Sequence, residues 1–205
     1  TTFEETGLTN DTAYYYVVNA VNSKGESANS NEACVIPSAG ETSIILYPTA
    51  DAYIRDGQYG DTNYGKAENL DVNYTPGRTG KNCQTYLMYD LSGIKSTPKT
   101  AEFVVSGRNI TNTKRIEVDI YKVTDDTWKE DVITWNNSPT CGWTYEIFYV
   151  DSTYKTSVAD ITTFTNEEYK GDKKLSVLLD AGTTKSTASL CSREGKDTPF
   201  LRITY

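Results

Sequence analysis

Hydrophobic residues in this chain fall in short runs, many of them alternating with polar ones, and not at helical spacing. "RIEVDIYKV" alternates apolar and polar residues, and comparable runs recur as "SIILYPTADAYI", "NLDVNY", "QTYLMYDL", "AEFVVSG", "YEIFYV", "KLSVLLDAG", "ASLCS" and "FLRITY". Turn-forming stretches separate them: "RDGQYGDTNYGKAEN", "TPGRTGKN", "SGRNITNTKR", "WNNSPTCGW", "YKGDKK" and "SREGKDTP". Residues 43–205 thus predict about eight to ten short strands with polar loops, and one short helix within "SVADITTFTNEEYKG". The expected fold class is all-β, a jelly-roll β-sandwich. Residues 1–38 form a smaller piece, two strands joined by a turn at "NSKG" and a run that ends at Pro37. Residues 39–42 read as a short linker of small residues.

Composition fits a soluble globular chain: 37% hydrophobic and 23% charged residues, with a mean hydropathy of −0.55. No apolar run approaches the roughly 20 residues of a membrane-spanning helix, so membrane insertion is not expected. The net charge is −8 and no Lys/Arg cluster is large, which argues against a nucleic-acid partner. An anionic surface suits a secreted or cell-surface monomer. The opening "TTFEETGLTN" carries no secretory signal and reads as the interior of a longer chain, so the missing signal is uninformative. Cys34, Cys83, Cys141 and Cys191 form no CxxC pair. Two disulfides, in any of three pairings, and four small buried hydrophobes are both open.

Histidine is absent, which excludes histidine triads and histidine-ligated metals. No P-loop, dinucleotide fingerprint or nucleophile elbow is present. Asp125, Asp126, Glu130 and Asp131 crowd beside Lys129 in a turn and read as solvated loop charges or strand-end caps, not as a glycosidase pair. The Gly-rich loop around "TADAYIRDGQYGDTNYG" offers Asp51, Asp56, Asp61 and Asn63, oxygen ligands for a structural calcium without EF-hand spacing. Sugar binding calls for flat rings that stack on apolar sugar faces, with polar groups for hydroxyls and Arg or Lys for carboxylates. Loop aromatics are Tyr59, Tyr64, Tyr74, Trp143, Tyr145 and Tyr154. Cations are Arg55, Lys66, Arg78, Lys81, Arg108, Lys114, Arg115 and Arg193.

Two family resemblances follow. "GLTNDTAYYYVVNAVN" resembles the second half of a fibronectin type III domain, with Leu8 and Tyr14 at its leucine and tyrosine-corner positions. Within residues 43–205, "ADAYIRDGQYGDTNYGKAENLDV", "TYLMYDLSGI", "VDIYKVTDDTWKEDVITWNNSP" and "SLCSREGKDTPFLRITY" together resemble DNRLRE-type domains, carbohydrate-binding module family 96. That resemblance implies a non-catalytic jelly-roll module of a secreted bacterial polysaccharide-degrading enzyme, with an acidic polysaccharide such as alginate or pectin as partner. A cell-surface spacer without glycan affinity is the alternative, and a lyase the remote one. The expected sugar contacts are Arg55, Tyr59, Tyr64, Arg78, Lys81, Trp143, Tyr145 and Arg193. Trp128 and Trp135 are expected to be scaffold. Met88 stands where the family pattern often has Lys or Arg.

Overall fold

The computed structural model describes residues 3–9, 12–35, 42–111, 114–182 and 185–205, without the side chains of residues 143–145. Contacts divide the chain into Thr1–Thr42 and Ser43–Tyr205. In the first unit β1 (Tyr14–Tyr16) pairs antiparallel with β4 (Ala33–Val35), and β2 (Val21–Asn22) with β3 (Gly25–Glu26). The Tyr14 hydroxyl accepts the Thr9 backbone N–H at 2.9 Å, a bond from a tyrosine back to the chain just upstream.

Among the described residues the second unit holds eleven strands, which pair antiparallel and fold into two layers. They are β5 (Ser43–Leu46), β6 (Ala50–Arg55), β7 (Asn69–Asn73), β8 (Cys83–Asp90), β9 (Thr100–Asn109), β10 (Ile116–Val123), β11 (Cys141–Val150), β12 (Lys155–Asp160), β13 (Lys174–Ala181), β14 (Thr187–Cys191) and β15 (Phe200–Thr204). Layer one runs β6-β8-β13-β10-β11. In layer two, β9 has β12 on one side; on the other β15 pairs its first half and β14 its second, and these carry β5 and β7 outward. The Asn73–Cys83 pair of β7 and β8 joins the layers at one edge.

Alternation along the strands builds the main core. Leu87 and Tyr89, Ile116, Val118 and Ile120, and Leu175, Val177 and Leu179 of layer one meet Phe103, Leu190, Leu201 and Ile203 of layer two. Each such side chain contributes roughly 1.5–3 kcal/mol on burial. The helix α1 (Thr162–Lys170) adds Phe164 to this core. Asp160 shapes its start by accepting from the Thr162 N–H and hydroxyl, so "SVAD" is strand β12 and the helix begins only after it. The polar, mostly exposed residues of β12 hid that strand from periodicity.

A second, smaller core lies on the outer face of layer one. The segment between β10 and β11 lays Ile133, Trp128 and Trp135 over Ala52, Ile54, Tyr86, Val123 and Leu178. Trp128 meets Tyr86 edge-on at 5.8 Å and donates its Nε1–H to Ser176 Oγ at 3.2 Å. Both rings are therefore scaffold. Gly65 is needed where the preceding loop crosses this segment: a Cβ there would lie 2.1 Å from the Glu130 carbonyl oxygen. Asn63 beside it donates to the carbonyls of Glu130 and Ile133. All four cysteines are unbridged, Cys83 and Cys191 buried, Cys34 and Cys141 exposed. Among the described residues no helix is long and apolar enough to cross a membrane.

Candidate functional site

The two outer faces differ in charge. On layer one, Glu117, Asp119 and Asp180 point away from the core, and burial together with Glu117 and Asp180 pushes the Asp119 carboxyl up. On layer two, the strands turn their apolar residues inward and leave Phe200 and Arg202 of β15, Ser106 and Arg108 of β9, Ser189 of β14 and Asn69 and Asn73 of β7 outward. Register aligns them: Arg202 lies opposite Glu102, Phe200 opposite Val104, and Ser189 opposite both Arg108 and Asp71.

Three open depressions follow one another across this face. The first is lined by Tyr47, Phe200, Arg202, Thr156 and Lys196, the second by Lys196, Tyr154, Arg108, Ser189 and Asn69, the third by Asn73, Thr187, Arg78, Lys81 and Lys185. Six residues of β9 separate Glu102 from Arg108, about 20 Å of groove at strand rise. Tyr47 is 60% exposed and meets Phe200 edge-on at 6.4 Å. Tyr154 donates its hydroxyl to Asp197 and carries the Lys196 ammonium 3.9 Å over its ring. Burial, then the Asp197 and Cys191 contacts, raises the Tyr154 pKa, so the phenol stays protonated. Arg202 pairs with Glu102 at 2.9 Å and Lys196 with Asp197 at 3.7 Å. Arg78, Lys81, Lys185 and Arg108 are exposed and pair with no described acid. Cations thus outnumber acids on this face although the whole chain is anionic.

Of the sugar contacts expected from sequence, Arg78 and Lys81 line the third depression. Lys81 also borders a neighbouring hollow with Arg55 and Tyr59. There the Arg55 guanidinium is occupied, donating to the Gly80 carbonyl at 3.0 and 2.8 Å and lying 3.8 Å over the Tyr59 ring. Tyr64 stacks on Tyr53 at 4.2 Å. Trp143 and Tyr145 sit on β11 in layer one, and their side chains lie outside the described residues. Met88 lies opposite Ala50 and Ser176 on the outer side of layer one, away from the groove. Tyr47, Phe200, Lys196, Arg202 and Lys185 escaped sequence reasoning. The one signal was alternation in "FLRITY", which sets Phe200 and Arg202 on the side opposite Leu201 and Ile203.

Arg193, expected as a sugar contact, is engaged within the protein. It donates from Nη1 to the Thr49 carbonyl at 2.6 Å and to Glu130 Oε1 at 3.1 Å, and its backbone N–H donates to Asp51 Oδ2 at 2.8 Å. Glu130 Oε1 also accepts the Asp51 N–H at 3.0 Å, so it is no solvated loop charge. Carboxylate oxygens of Asp51, Glu130 and Glu194 lie within 4.8 Å of one another, a set that could hold a metal ion. Of the four calcium ligands expected from sequence only Asp51 belongs to it. Asp56 accepts both the backbone and side-chain N–H of Asn82, Asp61 accepts from Asn136, and Asn63 spans to the Glu130 loop. These three shape turns.

Burial pushes the Asp51 carboxyl up to about 7 from its ordinary 3.8, with Glu194 and Glu130 adding to the rise and the Arg193 N–H opposing it. A folded-state pKa above the unfolded one makes the protonated form the stabilising one. That contribution is full below about pH 4 and is lost as the pH rises to about 7. In the presence of a chelator, the melting temperature is expected to decline across this window, and less so in Asp51→Asn. Parallel profiles for the two proteins would contradict this assignment.

A two-layer sandwich with aromatic rings, and with cations that pair with no described acid, along one open sheet face is a construction that suits a carbohydrate-binding module. The chain belongs to carbohydrate-binding module family 96, whose family model matches residues 42–205. A solved structure titled "CBM4 structure and function" is similar at 11% identity with a TM-score of 0.36, over 77% of this chain and 86% of that one. No curated protein sequence matches.

Proposed function

We propose that the module binds an acidic polysaccharide, alginate or pectin, along the outer face of layer two, without altering it, and so holds a secreted bacterial polysaccharide-degrading enzyme on its substrate. The observation that carries this reading is the row of cations Arg108, Arg78, Lys81 and Lys185, which pair with no described acid, on the same face as the exposed rings of Tyr47 and Tyr154. Rings stack on the apolar faces of sugars, and a guanidinium takes a uronate carboxylate through two parallel hydrogen bonds. Glu117, Asp119 and Asp180 on the outer face of layer one would oppose the same polymer there. Affinity electrophoresis tests this. Migration should be retarded by alginate or pectin, less by neutral xylan, and the retardation should weaken with added salt. Free migration through alginate, pectin, xylan and glycosaminoglycans alike would leave the spacer reading in its place.

A further inference from the structure

The third depression is built differently from the other two. Among the described residues no aromatic ring lines it, so it offers no platform for a sugar face. It is a hollow of about 500 Å³ where β7, β14 and β9 run out into their loops, with Asn73 opposite Thr187 in the ladder. Its floor is a chain of short polar side chains that already bond one another. Asn73 donates to the Thr187 hydroxyl and accepts from the Thr75 hydroxyl at 2.9 Å, and the Thr111 hydroxyl accepts the Thr187 N–H at 2.8 Å.

Three cations rise around this floor from two connections, Arg78 and Lys81 between β7 and β8, and Lys185 between β13 and β14. Both connections are pinned. Pro76 and Gly77, whose φ is +72°, make a tight turn that the Arg78 N–H closes on the Thr75 carbonyl at 3.2 Å. The Asn82 side chain, itself held by Asp56, accepts the Thr75 N–H at 2.8 Å. Lys185 has a left-handed backbone, φ 60°, and donates its N–H to the Tyr74 carbonyl at 2.7 Å. That conformation is uncommon for a residue with a side chain and is held only where surrounding structure imposes it. The three cations are exposed, pair with no described acid and repel one another.

A uronate carboxylate is planar and is satisfied by one guanidinium, such as Arg108 in the second depression. Three cations about one ring-free hollow suit a different group. A sulfate or phosphate ester presents three terminal oxygens around a tetrahedral centre and accepts from several directions at once. We propose that the third depression is a subsite for such a tetrahedral oxyanion, carried as an ester on the polysaccharide and held by Arg78, Lys81 and Lys185. The preferred ligand is then an acidic glycan that bears sulfate or phosphate esters besides its carboxylates. The proposal rests on the glycan reading of the layer-two face.

The test measures the full chain against alginate, O-sulfated alginate and O-phosphorylated alginate of equal length at one salt concentration. The ester that fits should tighten the Kd roughly tenfold over plain alginate, and the larger gain of the two identifies it. Arg78→Gln should weaken binding throughout and abolish most of that tenfold preference. Lys185→Asn should do the same, with a side chain that tolerates the left-handed backbone. Arg108→Gln should weaken binding of plain and esterified polymer alike and leave the preference near tenfold. Equal Kd values for all three polymers overturn the subsite while the groove reading stands. A preference that survives in Arg78→Gln and Lys185→Asn also overturns it, because the gain then follows overall charge. Binding of an esterified polymer alone, with the preference lost in those two variants, upholds the subsite and removes the carboxylate reading. Binding of none of the three overturns both.

Discussion

Replacing Arg108 by glutamate is expected to weaken binding of an acidic polysaccharide by about 10- to 100-fold, the loss of one charge-assisted contact of roughly 1.5–3 kcal/mol. Arg108 holds the middle of the groove. It is exposed, unpaired by any described acid, opposite Ser189 in the ladder, and flanked by Tyr154 and Lys196. Its side chain faces solvent, so the variant should keep the melting temperature of the parent. A glutamate there also sets a negative charge against each uronate. Arg108→Gln should fall between the two, since it removes the charge without reversing it. Unchanged retardation of both variants in alginate gels would move the binding face away from layer two. Equal losses on a neutral glycan would show that Arg108 bonds hydroxyls and not carboxylates.

Trp128→Ala is expected to cost about 3 kcal/mol of stability and roughly 6–12 °C in melting temperature, while leaving glycan affinity intact at temperatures where the variant is folded. The ring packs edge-on against buried Tyr86, and its N–H satisfies Ser176, a buried hydroxyl on β13. Truncation opens a cavity in the small outer core and leaves Ser176 without that donor. The segment it anchors also supplies Glu130 to the acidic cluster. An unchanged melting temperature with lost glycan retention would reverse the assignment and make Trp128 a sugar platform on layer one.

The strands were legible because the polymer's own chemistry writes them. Runs such as "RIEVDIYKV" and "FLRITY" alternate at the period of a pleated strand, and Gly, Asn, Asp and Pro punctuate them. β12 was not legible, because "KTSVAD" is polar and mostly exposed, and a two-residue period needs apolar contrast to be seen. The family-specific residues were legible as a set, but not as partners of one another. Asp51, Glu130 and Arg193 are far apart in sequence, and their motifs were assigned to sugar, solvent or a loop calcium. The fold brings all three to one clasp, with bonds of 2.8–3.1 Å among them.

Sequence alone determined the class of fold and the absence of histidine chemistry, since these depend on local pattern and residue type, while the scaffold reading of Trp128 and Trp135 came from the family resemblance. Which cations share a face depended on how β9 divides its edge between β14 and β15, and on the loop that returns Lys196 over Tyr154. Charge along a chain carries no direction. In a chain of net charge −8, pairing register and side-chain alternation gathered Glu117, Asp119 and Asp180 on one outer face, and the fold set Arg108, Arg78, Lys81 and Lys185 on the other, so only the tertiary structure decided which charges share a face.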